Sequence, residues 1–275
     1  MVSGPDRLLA DVAAEWGLEV DGPVHDSPRP AVPVRTAEGE RALLEHAPAG
    51  SPHEHLALRA WDGRGAVRLL RADPRRHLLL TAWADPEDDL RALDPYDAGT
   101  AVGALLAALH RAPIPQPPQL QDLAPRWLAD LDRPAVVAAV PRRFVEQVRA
   151  WTPGLVDPTE AGAVLLHGDL RPAHVRAGVD GGWLAVEPRP ATGDPAYEVA
   201  PVLHRWAGAE GSDDLRGDLL ERFYAVVDAA GLDEDRARSW VVVRVVTELA
   251  ARFALGDVPA DEVTWATTVV KAVQR

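Results

Sequence analysis

A short apolar run that ends in histidine, glycine and aspartate is the part of the chain best suited to chemistry. Residues 164–175 read VLLHGDLRPAHV, which places His167, Gly168 and Asp169 directly after an expected buried strand. A carboxylate on such a loop can orient an attacking hydroxyl and accept its proton, and a residue five positions later can hold a metal ion. That later residue is His174. The spacing therefore indicates transfer of a phosphoryl group to an alcohol, with Asp169 as the base.

A second extended run completes a hairpin and adds another carboxylate. Residues 183–187 read WLAVE and follow the glycine-rich turn at 180–182, so Glu187 ends the returning strand. A carboxylate at this point can hold the metal ions that bridge the phosphates of a nucleotide. His-Gly-Asp alone is more often an ordinary turn, but the strand, the spacing and the hairpin together favour chemistry. His174 keeps two interpretations, a metal ligand or a histidine packed against the loop.

Three segments resemble the core of the aminoglycoside and hydroxyurea phosphotransferase family, whose best-known members are the streptomycin 6-kinases. They read HGDL at 167–170, WLAVEP at 183–188 and GDPAYEVA at 193–200. Residues 58–70 and the pair Trp127-Leu128 are also similar, and the resemblance extends from about residue 16 to about residue 251. Similarity of this length at consistent spacing is far more specific than His-Gly-Asp alone.

The resemblance implies an α+β fold of the two-lobed, protein-kinase-like type. A small antiparallel β lobe at residues 1–83 and a larger, mainly helical lobe at 84–275 with the hairpin would leave a cleft between them. The implied activity is ATP-dependent phosphoryl transfer to an alcohol group of an aminoglycoside or streptomycin-type acceptor, with Mg²⁺ or Mn²⁺ as the divalent metal. Such a protein serves antibiotic resistance or secondary metabolism. Within this pattern His167 and Glu198 support the catalytic loop.

The positions that handle the nucleotide depart from the family pattern. Residues 25–30, HDSPRP, replace a glycine-rich turn, and prolines remove amide donors that would approach the phosphates. The third strand carries Glu45 where the family has a phosphate-binding lysine, and the single lysine of the chain, Lys271, is far outside this lobe. The helix residue that would pair with that lysine is Glu54. We therefore expect Glu45 and Glu54 to form a like-charge pair.

These replacements leave two interpretations of function. A carboxylate about 4 Å from a phosphate charge, at an effective dielectric near ~20, costs roughly 4 kcal/mol. Micromolar binding is worth only about −8 kcal/mol, so we expect weak ATP binding, on the order of millimolar. His174 and Glu187 replace the Asn and Asp that hold metal in the family, whereas Asp169 is unchanged. The chain is either an active phosphotransferase or a catalytically impaired pseudokinase that acts as a ligand-binding or regulatory protein.

The composition limits the classes of partner. A net charge of −13 argues against nucleic acid, whose phosphates need a basic surface, and fits poorly with an anionic membrane. It suits a cationic small molecule with a hydroxyl acceptor, although it also simply favours solubility. Without cysteine, neither a disulfide framework nor a thiolate metal site is possible. With no apolar run of signal-peptide or membrane-spanning length, we expect a cytoplasmic protein.

Hydrophobic periodicity predicts elements whose character changes near residue 84. Upstream of it we expect a five-stranded antiparallel sheet. Four of its strands have clear extended patterns, at 31–35, 41–47, 66–70 and 77–82, and helical patterns cover 6–16 and 52–61. Trp83 follows the last of these strands and either borders the nucleotide pocket or packs in the core. A polar link at 85–89 leads to helices, chief among them 98–111, 215–230, 234–255 and 261–273. Gly231 and Gly256 stand where glycine commonly ends helices.

Overall fold

A computed structural model describes residues 4–25, 29–47, 52–90, 93–205 and 209–274. The chain forms two compact units, Met1–Asp89 with His174–Pro190 and Leu90–Ala173 with Ala191–Arg275. These bounds differ from those of the predicted lobes, 1–83 and 84–275. The reason is backbone pairing, which joins residues 84–89 and the hairpin after His174 within the first unit.

The described residues form strands and α-helices, each set numbered separately in chain order. The strands are β1 (Glu19–Val20), β2 (Ala31–Arg35), β3 (Arg41–His46), β4 (Leu69–Asp73), β5 (Leu78–Ala82), β6 (Ala84–Asp89), β7 (Val164–Leu166), β8 (Val175–Gly178), β9 (Trp183–Ala185) and β10 (Ala191–Gly193). The α-helices are α1 (Gly4–Trp16), α2 (Glu54–Trp61), α3 (Pro95–Leu109), α4 (Leu120–Asp130), α5 (Pro134–Ala139), α6 (Arg142–Leu155), α7 (Pro158–Ala161), α8 (Leu215–Ala230), α9 (Glu234–Leu255) and α10 (Ala260–Val273).

The first unit is built on a five-stranded sheet in the order β1-β2-β3-β5-β4. Every neighbouring pair is antiparallel, which confirms the predicted five-stranded antiparallel sheet. The strand predicted at 66–70 lies at Leu69–Asp73, and the fifth strand is β1, for which no range was predicted. Alternation along β3 buries Ala42 and Leu44, and the amphipathic α1 packs Leu9 and Val12 into the same core. A fully buried aliphatic side chain contributes about 1.5–3 kcal/mol, so this packing holds α1 on the sheet.

A second sheet of the first unit, in the order β6-β8-β9, corrects the predicted polar link at 85–89. These acidic residues lie in strand β6 because it pairs with β8, and the pairing is irregular between Asp85 and Asp89. The carboxylate of Asp89 accepts a hydrogen bond from Nη1 of Arg176 at 2.8 Å. Pairing with a distant strand and a buried ion pair outweigh the low strand propensity of aspartate and proline.

The second unit is mainly helical and packs α3 closely against α8. A Cβ added at Gly103 would lie 2.6 Å from the Cβ of Ala229 and 2.8 Å from the carbonyl oxygen of Val226, so glycine permits the close approach. Helices α8 and α9 have the predicted bounds, and Gly231 ends α8 in the left-handed conformation. None of the described helices is both long and apolar enough to cross a bilayer.

Candidate active site

A pocket of about 180 Å³ lies in the first unit, where the five-stranded sheet and the hairpin supply its walls. Its apolar lining residues are Ala31, Leu43, Val67, Ala84, Pro86 and Val186, and its polar ones are His25, Arg29, Glu45, Thr81, Arg176 and Glu187. Apolar walls with a few charged groups are typical of sites for organic ligands. Strands β3 and β5 place Leu43, Glu45 and Thr81 in the pocket because every second side chain of a strand points to the same face, and Leu43 pairs with Thr81.

The arginine just before β2 joins the two carboxylates that we expected to oppose each other. Arg29 donates from Nε to Glu45 at 3.1 Å, and its two terminal nitrogens donate to both oxygens of Glu54 at 3.0 and 2.5 Å. The expected like-charge pair of Glu45 and Glu54 is therefore wrong, because a cation from another segment lies between them. The fork of a guanidinium suits such two-point contact with a carboxylate.

Burial shifts the pKa values of all three groups in this cluster. Burial alone would lower the pKa of Arg29, but the attraction of Glu45 and Glu54 outweighs it and raises that pKa well above its usual value. Burial raises the pKa of Glu54 to about 7, and the attraction of Arg29 offsets this only in part. Burial likewise raises the pKa of Glu45. One cation shared by two buried carboxylates explains why the second negative charge is costly.

The replaced glycine-rich turn contains this arginine. Residues 26–28 lie outside the described residues, so the turn itself is not described; its flanking residues His25 and Arg29 both line the pocket. Sequence reasoning counted the segment 25–30 as lost amide donors and overlooked the charge that it contains. An arginine in this segment, together with two expected carboxylates and no lysine, was the signal that could have identified the cluster.

The predicted metal ligands come together within the first unit. Nε2 of His174 lies 3.9 Å from Oε2 of Glu187, and the backbone of Glu187 has a φ of 57°, in the left-handed region. Such a backbone is unusual for a residue with a side chain and often marks a functional position. Over the described residues no group of three or more His, Asp or Glu is placed to hold a metal ion. The pair supplies two donors, which suits a cation that also takes ligands from phosphates.

The role of Trp83 stays a prediction. The guanidinium carbon of Arg41 lies 3.6 Å from the centroid of the Trp83 ring, a cation–π contact. Trp83 is not among the described residues that line the pocket. The Trp83 ring thus contacts the first residue of β3.

The second unit carries the His-Gly-Asp loop directly after β7. Gly168 has a φ of 82°, a conformation that glycine adopts at little cost, so the chain turns sharply and buries Asp169 to 7 % exposure. The carboxylate of Asp169 accepts a hydrogen bond from Nη2 of Arg171 at 3.1 Å. The amide of Asp169 donates to Nδ1 of His167 at 3.3 Å. These contacts fix the candidate base in one orientation.

Glu198 and Arg244 hold the backbone of this loop. The two oxygens of Glu198 accept hydrogen bonds from the amides of His167 and Gly168, each at 2.7 Å. Arg244 donates to the carbonyl oxygen of Gly168 at 2.5 Å and to that of Tyr197 at 3.1 Å. Burial raises the pKa of Glu198, and these bonds counteract the cost of its charge. The geometry agrees with support of the loop, the role predicted for His167 and Glu198.

Several further residues of the second unit escaped sequence reasoning. Nε2 of His110 lies 3.9 Å from Oε2 of Glu198, but burial lowers the pKa of His110 to about 4, so the imidazole is neutral near pH 7. Asp194 caps the 3₁₀ segment Pro195–Leu203 by accepting a hydrogen bond from the amide of Ala196, and it also accepts one from the indole of Trp240 at 2.5 Å. Contacts between segments so far apart in the chain have no local sequence signal.

An antiparallel β unit whose pocket combines apolar walls with charged groups, together with a helical unit that carries a His-Gly-Asp loop, defines a small-molecule kinase fold. Residues 16–256 match the profile of the aminoglycoside/hydroxyurea antibiotic resistance kinases, and the chain belongs to that family. A hydroxyurea phosphotransferase from Kitasatospora aureofaciens is 34% identical over 273 residues, which cover 95% of this chain and 77% of the relative. A streptomycin 6-kinase from Streptomyces griseus is 30% identical over 256 residues, or 89% and 82% of the two chains.

Solved structures of low sequence identity share the fold. An aminoglycoside phosphotransferase from Streptomyces rimosus, in complex with ADP and streptomycin, has a TM-score of 0.55 at 16% identity and covers 90% of this chain and 99% of its own. An ethanolamine kinase from Plasmodium vivax has a TM-score of 0.63 at 12% identity, with 98% and 84% of the chains covered. The predicted protein-kinase-like α+β fold is confirmed.

Proposed function

We propose that the protein transfers the γ-phosphoryl group of ATP to a hydroxyl of a small molecule of the aminoglycoside type. The observation that carries the proposal is the fixed, buried Asp169, whose loop is held by Glu198 and Arg244. Family membership and the names of the relatives support the same reaction. Burial of a carboxylate costs free energy even when it is hydrogen-bonded, and carboxylates held in this way are common at functional sites.

In the proposed reaction Asp169 acts as general base. Its carboxylate orients the acceptor hydroxyl and takes the hydroxyl proton as the acceptor oxygen forms a bond to the γ-phosphorus. The bond from that phosphorus to the oxygen that bridges it to the β-phosphate breaks, and its electron pair leaves with ADP. General bases of this kind contribute about 10²–10⁴ in rate. Arg171, next to the carboxylate, keeps a positive charge near this centre.

The pocket of the first unit is the proposed nucleotide site. Its apolar walls suit a base, and Arg29 suits anionic phosphates. Glu45 and Glu187 add negative charge to the same pocket, so ATP binding is expected to be weak, on the order of millimolar. Glu187 of this pocket and His174, 3.9 Å from it, would hold a divalent metal, which would neutralise phosphate charge when bound.

The acceptor is proposed to be a hydroxyl-bearing compound, preferably a cationic one. The net charge of −13 favours the approach of polycations. Two relatives are named for streptomycin and for hydroxyurea, so both compounds belong in a first acceptor panel. The panel then separates preference for a large polycation from preference for a small uncharged hydroxyl compound.

The test is a transfer assay with radiolabelled ATP, Mg²⁺ or Mn²⁺ and this acceptor panel. We expect label in at least one acceptor with the wild type and at least a 100-fold lower rate with Asp169→Asn, the low end of the contribution given above. Asp122→Asn, an exposed aspartate in α4, is the matched control and should leave the rate unchanged. Nucleotide binding without transfer to any acceptor would overturn the proposal and favour the pseudokinase interpretation.

A further inference from the structure

We propose that Arg29 is the phosphate-binding cation of the nucleotide pocket and that Glu45 competes with the phosphates for it. The inference rests on the proposed function, since it assigns the residue that recognises the nucleotide. It differs from the family arrangement, in which a lysine on the third strand has this role. In this chain the cation comes from the segment before β2, and the third strand supplies a competitor.

The two carboxylates hold Arg29 unequally. Glu54, with a side chain only 2 % exposed, takes both terminal nitrogens and fixes the plane of the guanidinium. Glu45 accepts a single bond from Nε at 3.1 Å, and its side chain is 12 % exposed. Glu45 also lines the pocket, whereas Glu54 does not. Of the two partners, Glu45 is therefore the one that a ligand in the pocket can displace.

The ligand that replaces Glu45 at Arg29 must itself be an anion, because it takes over an ion pair. Arg29 is opposed by Glu45 and Glu54, so the three groups carry a net charge of −1 when both carboxylates are ionised. A phosphate that replaces Glu45 at Arg29 keeps the ion pair and removes a carboxylate from the contact. A neutral ligand would gain nothing from that exchange. Guanidinium binds phosphate through a planar fork, and Arg29 is already fixed in orientation by Glu54.

The arrangement predicts opposite effects for two neutral substitutions. Arg29→Gln removes the cation and leaves the phosphates facing carboxylates, so ATP binding should weaken by at least about tenfold, the equivalent of one charge-assisted contact. Glu45→Gln removes the competitor and its repulsion, so ATP binding should strengthen by roughly tenfold. Adenosine, which lacks phosphates, should bind all variants equally well.

The experiment is calorimetric titration of ATP, ADP and adenosine into the wild type and these variants, without an acceptor. Arg35→Gln is the matched control, an arginine of the neighbouring strand whose side chain is 46 % exposed and pairs with Asp21. It should not change any of the three affinities. Because Arg29 is buried, Arg29→Gln could unfold. A second variant therefore combines Arg29→Gln with Glu45→Lys, which moves the cation from residue 29 to residue 45; we call it the charge-swapped variant. The swap returns a cation to β3 beside Glu54 and should bind ATP better than adenosine.

Distinct results would overturn the inference. Unchanged ATP affinity in Arg29→Gln, equal losses for ATP and adenosine, or no gain in Glu45→Gln would each do so. A folded charge-swapped variant that binds ATP no better than adenosine would do so as well. Failure of the proposed function looks different. Arg29-dependent ATP binding without transfer to any acceptor would remove the proposed reaction and leave the assignment of Arg29 in place.

Discussion

Arg171 donates a hydrogen bond from Nη2 to Oδ2 of Asp169 at 3.1 Å, two residues along the same loop. The Nε of Arg171 is buried and has no hydrogen-bond partner among the described residues. A buried donor without a partner costs about 1–3 kcal/mol, and an oxygen of a bound substrate would remove that cost. Arg171 thus has one donor on the candidate base and one buried donor that has no partner among the described residues.

The first prediction tests whether Arg171 takes part in the reaction. Arg171→Gln keeps a hydrogen-bond donor but removes the charge, so kcat should fall by roughly tenfold or more, the value of one charge-assisted bond. ATP affinity should stay within twofold because Arg171 is not among the described residues that line the proposed nucleotide pocket. Steady-state kinetics and calorimetry measure the two effects separately. A loss that appears only in thermal stability would assign Arg171 a purely structural role.

The second prediction concerns the support of the loop. Glu198→Gln keeps one acceptor oxygen but turns an amide group toward the other backbone N–H, so one of the two bonds to His167 and Gly168 is lost. Unfolding free energy should drop by about 2 kcal/mol. Glu221→Gln, an exposed change on α8, should stay within about 0.5 kcal/mol of the wild type. Urea denaturation compares the two, and equal midpoints would contradict the assigned role.

Local pattern explains which features the sequence could predict. Strong periodicity and the terminating Gly231 define α8, and the His-Gly-Asp loop is contiguous in the chain. The ion pairs of Arg29 join residues 16 and 25 positions apart, so only the folded sheet brings them together. Strand β6 is an acidic segment that extends because β8 pairs with it from far along the chain. Features fixed by tertiary contact have no periodic or turn signal of their own.

The third prediction tests the close packing of α3 on α8. Gly103→Ala places a methyl group 2.6 Å from the Cβ of Ala229, so one helix must move. Overpacking of this kind costs about 1–3 kcal/mol. Gly154→Ala in α6 is the matched control, because apart from its chain neighbours and the backbone of its own helix no described atom lies within 4 Å of its added Cβ, and it should be neutral or stabilising. Thermal unfolding should separate the two variants, and similar melting temperatures would contradict the packing argument.

The fourth prediction uses the titration of Glu54, which faces Arg29, Glu45 and Glu187. Its pKa is about 7 in the folded protein, against an ordinary value of 4.5. Between these values the unfolded chain releases the proton while the folded protein keeps it, so the free energy of unfolding falls as pH rises through this window. The stabilising contribution of the proton is complete below pH 4.5 and is lost above about pH 7.

The measurement for Glu54 is the melting temperature of the wild type and of Glu54→Gln from pH 5 to pH 8. Glutamine does not titrate, so the wild type should lose stability relative to the variant as the pH rises. The direction of that change is the decisive readout, because the variant also alters the ion pair with Arg29 at every pH. A difference that is constant with pH would show that Glu54 is ionised throughout the window.

The last prediction concerns the metal. An imidazole suits transition metals better than Mg²⁺, which prefers oxygen ligands, so the wild type should work better with Mn²⁺ than with Mg²⁺ through His174 and Glu187. His174→Asn with Glu187→Asp should reverse that preference, and aspartate also tolerates the left-handed backbone of position 187. His77→Asn, likewise at a left-handed position, is the control and should leave the preference unchanged. Transfer rates and Mn²⁺ binding followed by electron paramagnetic resonance give two independent readouts. If the double variant keeps both its Mn²⁺ binding and its Mn²⁺ preference, the two residues do not hold the metal.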